Sequence, residues 1–380
     1  MTKKEIKIII IKGMCFLILI SVMYTPIIKS IFFEDSNKGW TAIWLTWSEN
    51  PKTTITINWR WNLNKKAYVL CWNNYIRMLI VTNFSSDLFH ITLRNLIPRM
   101  RYHYIIGYFE NDRMINWSTI HTFETAPATN EPFTVLVHAD TYSPGFGAFE
   151  KFIECAKKEK FDFVIHCGDI VGVGGEPAWI RFLELESQIL AKHPLIAVAG
   201  NHDIITNDPS LYHKYLKLPN NGFWYNISYS NAIFVALHVA DPENFTFPDE
   251  EKQMFIQAMQ YADNHNMWKV VFIHIPPLNA IAQRVSPKIS KILLPLFNEY
   301  KPHIVLMGHV HAYGRVFING TLYIYTGNCG GFPGIYADTS QLDYYSFDMG
   351  YLLLEFYEDC IHGIYKNLNG EIVDEFFIYK

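Results

Sequence analysis

HIVLMGHVHAYGR, residues 303–315, sets a short apolar run directly against two histidines, His309 and His311. The run has the length and composition of a buried strand, and Gly308 breaks it where the polar residues begin. Working outward, four more apolar runs end the same way. FTVLVHA (133–139) meets Asp140, FDFVIHC (161–167) meets Gly168 and Asp169, LIAVAG (195–200) meets Asn201, His202 and Asp203, and KVVFI (269–273) meets His274. Stretches of helical character, GAFEKFIECAKKEK (147–160) and EPAWIRFLELESQIL (176–190), lie between the earlier runs. Strands alternating with helices describe an α/β arrangement. In such sheets ligands bind beyond the carboxyl ends of the strands, so the five polar endings are expected to converge. A core histidine or a solvated aspartate accounts for any one of them, but not for five in one structural slot. Imidazole suits zinc and iron, and carboxylates also suit manganese and iron. A carboxylate such as Asp169 can bridge two ions about 3.5–4 Å apart.

The preceding third of the chain reads differently. TAIWLTW (41–47), TTITINW (53–59), KAYVLCW (66–72), LFHITL (88–93), YHYIIGYF (102–109) and TIHTFET (119–125) alternate in the manner of short strands, with turn-rich breaks between several of them. The aromatic residues in them are expected to be core. Around Pro98, the segment from Leu96 to Tyr104 has the form of a tyrosine corner, in which a buried hydroxyl bonds back to nearby backbone. APATNEP (126–132) is a linker by composition.

Half of the 380 residues are hydrophobic, 18% are charged and the net charge is −4. A nucleic-acid scaffold needs a positive footprint, which is missing here. Lys3, Lys4, Lys7 and Lys12 precede an uncharged run from Met14 to Ile28. A positive flank before an apolar run is the pattern of a cleaved signal peptide or an uncleaved anchor. Residues 1–30 are therefore expected to direct the chain out of the cytoplasm, secreted or held at the cell surface by that segment. Acceptor patterns for N-glycosylation at Asn83, Asn116, Asn226, Asn244 and Asn319 agree with export. The six cysteines suggest neither a zinc site nor a dense disulfide framework.

The ordered set Asp140, Gly168-Asp169, Gly200-Asn201-His202-Asp203, His274 and Gly308-His309-Val310-His311 resembles the calcineurin-like metallophosphoesterases. GHVHAYGR (308–315), FIHIPP (272–277), TLYIYTGNCGG (321–331), GEIVDEFFIYK (370–380) and the fibronectin type III-like segment resemble the purple acid phosphatases in particular. The resemblance implies an αββα metallophosphoesterase sandwich over residues 128–380, preceded by an all-β fibronectin III-like sandwich over 31–127. It implies a phosphate-ester substrate and two metal ions, divalent or mixed-valence, iron with iron, manganese or zinc. Asp140, Asp169 and His311 would hold the first metal, and Asp169, Asn201, His274 and His309 the second. His202 would face the phosphate as general acid or charge stabiliser, with Asp203 either a partner for its imidazole or a solvated loop aspartate. The implied reaction is phosphate monoester hydrolysis by attack of metal-bound hydroxide. A phosphodiesterase acting on nucleotides, or a non-catalytic surface-binding module, are the alternatives.

The chain departs from that pattern at three positions. The purple acid phosphatases carry a tyrosine three residues after the shared aspartate, where this chain has Gly172. Tyr142, two residues after Asp140, stands where other members of the family have histidine, and is expected to supply the missing phenolate ligand. Gly314 stands where the family usually has glutamate. Arg315 is the cation near this loop and is available to steer an anionic substrate, or else is a surface residue. His138 and His166 flank the site as structural residues or as supports for the ligands.

Overall fold

Runs such as Phe133–His138 and Trp268–Ile273 are apolar on both faces because both faces are covered, as parallel strands between layers require. In the computed structural model, which describes residues 6–11, 40–141, 147–278, 286–327, 329–331 and 339–380, all five apolar runs are strands. They fall into two sheets. Leu195–Ala197, Phe163–His166 and Phe133–His138 run parallel in the first, which continues antiparallel through Gly350–Phe356, Cys360–Asn367 and Ile372–Tyr379. Trp268–Ile273 and Ile304–Met307 run parallel at the centre of the second, in a seven-stranded order.

The inner faces of the sheets meet through aromatic rings. Phe133 stacks on Phe356 at 4.6 Å and packs edge-on to Phe234 of the other sheet at 6.2 Å. Helices Ala148–Ala156 and Gly175–Leu190 cover the first sheet, with Phe152 against His138 and Phe182 against His166. Helices Asp249–Asn264 and Pro287–Tyr300 cover the second through Phe255, Met259, Leu293 and Phe297. The layers are thus helix, sheet, sheet, helix. Each layer buries one apolar face, and the carboxyl ends of five strands open on the same side.

The N-terminal part is all-β from Trp40 to Glu124 and joins the first sheet directly, with Thr46 opposite Leu195. TTITINW and KAYVLCW do not form separate strands as the sequence suggests. They lie in one strand, Ile55–Trp72, whose register against Arg77–Leu93 slips between Arg60 and Lys65. The polar segment between them is a register shift inside a continuous strand, not a turn. Trp44, Trp59 and Trp61 are at most 1% exposed, so these rings are core. The buried Tyr102 hydroxyl accepts the Ile97 N–H at 2.8 Å and closes a tyrosine corner.

Ile6–Ile11 form a strand beside Arg77–Thr82. The uncharged run Met14–Ile28 lies outside the described residues. Among the described residues no helix is long and apolar enough to cross a membrane.

Candidate metal centre

Asp140, Asp169, Asn201, His274 and His309 stand one to four residues beyond the ends of their strands, and His311 follows two residues later. Four of these six, Asp140, Asp169, His309 and His311, have φ between +54° and +71°. Asp and His tolerate that left-handed conformation better than most side chains. It ends the ladder of backbone bonds and turns the side chain out over the sheet edge.

Backbone hydrogen bonds fix these turns to one another. Asp140 N–H donates to the Gly168 carbonyl and Thr141 N–H to the Asp169 carbonyl, each at 3.1 Å. The His309 N–H lies 3.0–3.1 Å from both carboxylate oxygens of Asp140. The His202 N–H donates to Asp169 Oδ1 at 2.8 Å. Only glycine fits at position 200, because a Cβ there would lie 2.1 Å from Asp169 Oδ1 and 2.2 Å from its backbone nitrogen.

Two groups of donor atoms result, each with all atoms within 4.8 Å of one another. Asp169, His274 and His309 make one, and Asp140, Asp169 and His311 the other. Asn201 Oδ1 joins the first, 3.1 Å from His274 Nε2 and 2.9 Å from His309 Nδ1. His274 Nδ1 lies 2.9 Å from the Cys167 carbonyl, which requires the proton on Nδ1 and leaves Nε2 as the ligating nitrogen. Asp169 Oδ2 is buried without a hydrogen-bond partner among the described residues. A wholly buried carboxylate oxygen without a donor is costly, and a cation would satisfy it. The residues present therefore fit two metal ions that share Asp169.

The electrostatics agree. Burial pushes Asp140 well above the usual carboxylate range, and the charge of Asp169 adds to it. Burial acts on Asp169 in the same direction, but His274 and the contacts with His202 more than offset it and hold Asp169 well below that range. Burial would lower His274, yet Asp169 and Asp140 carry it up to about 9. A buried cluster that retains a proton this tightly is short of positive charge.

Some expectations need correction. Asp203 does not face the imidazole of His202. Its two oxygens accept the N–H groups of Gly200, Ile170 and Val171 at 2.8–3.2 Å and so pin two ligand loops together. Arg315 is not available to steer substrate. It forms a bidentate pair with Asp374 at 2.7 and 3.1 Å, joining the second sheet to the last strand of the first. Tyr142, the expected phenolate ligand, lies outside the described residues.

His138 and His166 have structural partners. His138 Nε2 is 2.8 Å from Glu186, and His166 Nε2 is 3.2 Å from the Thr141 hydroxyl, which donates to the Ile170 carbonyl at 2.6 Å. His202 belongs to neither donor group, is partly exposed, and stands at the start of a π-helical turn, His202–Thr206. Such turns are rare and recur at functional sites.

Sequence reasoning missed Asn207, which ends that turn. Its amide donates to the carbonyls of Gly172 and His202 at 2.6 and 2.7 Å and accepts the Gly175 N–H at 2.9 Å. An asparagine four residues beyond Asp203 carries no signal in a chain rich in asparagine.

Residues 133–313 match the family model for the calcineurin-like phosphoesterases. Similar sequences include purple acid phosphatases. The chain is 24% identical over 354 residues to "Probable inactive purple acid phosphatase 1" of Arabidopsis thaliana, covering 76% of this chain and 57% of that protein. It is 22% identical over 282 residues to "Purple acid phosphatase 1" of Ipomoea batatas, covering 67% and 57%. Its fold matches the purple acid phosphatase PPD1 from yellow lupin with a TM-score of 0.74 at 18% identity, over 89% of this chain and 74% of that one. The chain thus spans 57% of the length of these two curated relatives.

Proposed function

We propose that the chain is an exported two-metal phosphatase acting on phosphate monoesters. The observation that carries the reading is the shared carboxylate: Asp169 belongs to both donor groups, and its Oδ2 has no other partner among the described residues. Asp140 and His311 would complete one metal position, and Asn201, His274 and His309 the other. Iron paired with iron, manganese or zinc suits these nitrogen and oxygen donors. Bound there, the ions would neutralise phosphoryl oxygens and lower the pKa of water to near neutrality.

The chain's own residues supply the rest. The His202 N–H anchors to Asp169, so its ring is carried beside the metal positions without being a donor to either. In that place the imidazole can protonate a departing alkoxide. Asp203 and Asn207 hold the His202 turn and the loop after Asp169 in one arrangement, which limits reorganisation during reaction. Export is supported by the basic and apolar character of residues 1–30 and by the exposure of the acceptor asparagines Asn83 and Asn226.

The test loads the chain in turn with iron, manganese and zinc and follows hydrolysis of p-nitrophenyl phosphate, with Asp169→Asn as control. His202→Ala should lower turnover by about 10²–10⁴-fold while metal content holds. Equal loss of metal would make His202 a ligand instead. Faster cleavage of bis(p-nitrophenyl) phosphate would make the chain a diesterase. Failure to bind any metal would favour a non-catalytic module.

A further inference from the structure

Two helices begin at the site, and both end on the N-terminal domain. Helix Gly175–Leu190 has its first N–H held by Asn207, which also binds the His202 carbonyl. At its far end the Tyr104 hydroxyl donates to the Ala191 carbonyl at 2.7 Å. Helix Pro209–Tyr215 starts two residues after Asn207, with Asp208 accepting the Ser210 N–H at 2.9 Å. Its last carbonyls, which a helix cannot satisfy itself, also go to the N-terminal domain. Trp44 Nε1 donates to Tyr215 O at 3.0 Å, and His90 Nε2 lies 2.9 Å from Lys214 O.

These contacts are built into the core of the domain. Trp44, Tyr104 and Asn58 are buried completely. Asn58 donates to Trp44 O and Thr46 Oγ1, each at 3.0 Å, and its carbonyl oxygen is 2.7 Å from His90 Nδ1. The helices are also locked to each other. The Tyr215 hydroxyl donates to Glu176 at 2.7 Å, Lys214 pairs with the same carboxylate, and Trp179 stacks on Tyr215 at 5.9 Å. Buried polar contacts in which donor and acceptor match, as at the Trp44 indole and the Tyr104 hydroxyl, fix geometry more sharply than apolar packing does.

We propose that the N-terminal β domain is a strut for the His202 turn, with Trp44 and Tyr104 as positioning residues acting through the two helices. The inference rests on the reading of His202 given above for its effect on turnover, but not for its effect on the turn itself. Removing one anchor frees a helix end, and the motion is delivered at Asn207, where both helices meet the turn.

Trp44→Phe and Tyr104→Phe each delete one donor and keep an aromatic ring in place. Hydrogen exchange of the amides at 202–207, measured on the full chain, should accelerate in both variants. Exchange in the strand Trp268–Ile273 should stay as in the parent. With p-nitrophenyl phosphate, kcat should fall roughly ten- to a hundredfold with KM and metal stoichiometry unchanged. Faster exchange at 202–207 supports the strut even if the parent chain hydrolyses nothing, a result that would sink the phosphatase reading alone. A lower melting temperature with parental exchange at 202–207 overturns the strut and leaves Trp44 and Tyr104 as ordinary packing.

Discussion

Gly200→Ala is the sharpest test of the metal centre, because the perturbation is one methyl group and its direction is known. The added carbon would lie 2.1 Å from Asp169 Oδ1 and 2.2 Å from the Asp169 nitrogen. Contacts of this kind are essentially never below 3.0 Å, so the segments must part by about 0.9 Å, the difference between 3.0 and 2.1 Å. The neighbour is partly backbone and cannot simply rotate away. Parting also strains the bond from Gly200 N–H to Asp203 at 2.8 Å and that from His202 N–H to Asp169 at 2.8 Å.

Overpacking of this kind costs about 1–3 kcal/mol of stability. A functional metal site tolerates only about 0.2 Å in ligand distance. The displacement exceeds that severalfold at the carboxylate both metal positions share. Elemental analysis after reconstitution should therefore show loss of both ions, not one. Gly370→Ala is the control, since it is also a glycine of positive φ, +83°, but has nothing within 4 Å of the new carbon. It should lower stability by about 1 kcal/mol and leave metal content alone. A Gly200→Ala protein that binds two ions with parental affinity would refute the shared-carboxylate geometry.

Arg315→Leu should cost about 3 kcal/mol in denaturant unfolding, because it leaves Asp374, whose side chain is only 5% exposed, without its counter-charge and with only the Tyr313 hydroxyl as side-chain donor among the described residues. KM for an anionic ester should not change, and a raised KM with parental stability would restore the steering role. Glu251, 1% exposed, is pushed up to about 8 by burial, which the His238 N–H at 2.6 Å offsets only in part. Its folded value lies above the ordinary 4.5, so the native state keeps a proton that the unfolded chain gives up. That contribution is fully present below about pH 4.5 and is lost as pH rises through 8, on the order of a few kcal/mol. Glu251→Gln keeps an acceptor for His238 and should flatten melting temperature against pH between 5 and 8.5. Burial holds His238 near 4, which acts oppositely below pH 6.5 and is common to both proteins. Parallel melting curves for parent and variant would show that Glu251 is ionised in the fold.

The parts of the site that were legible in the sequence are those written along a strand. Each candidate ligand follows an apolar run whose burial on both faces is required by the layer it occupies, so the position of Asp140, Asp169, His274 and His309 at strand ends was readable from the pattern of the sequence. The contacts between strands were not legible. Asp203 has the same sequence neighbours whether it faces an imidazole or three backbone N–H groups, and only the approach of the Asp169 loop selects the second. Arg315 looks like a free cation until the last strand brings Asp374 beside it from 59 residues away. Asn62, Asn64 and Lys65 read as a turn because polar residues do, yet the strand runs on through them with a shift of register.

The left-handed turns connect the two kinds of information. For a side chain with a Cβ this conformation costs roughly 1–2 kcal/mol, and the site holds four such residues within its six donors. Glycine at any of them would remove the strain and the ligand together. Asp and His are the compromise, tolerant of the conformation and able to bind a cation. The strain is held by bonds such as His309 N–H to Asp140, in which one ligand's carboxylate fixes the turn of another. Because those bonds run between sheets, the candidate metal positions form only once both sheets have packed. A chain that loses the packing of Phe133 against Phe234 of the other sheet should therefore lose the centre with every candidate ligand still in its sequence.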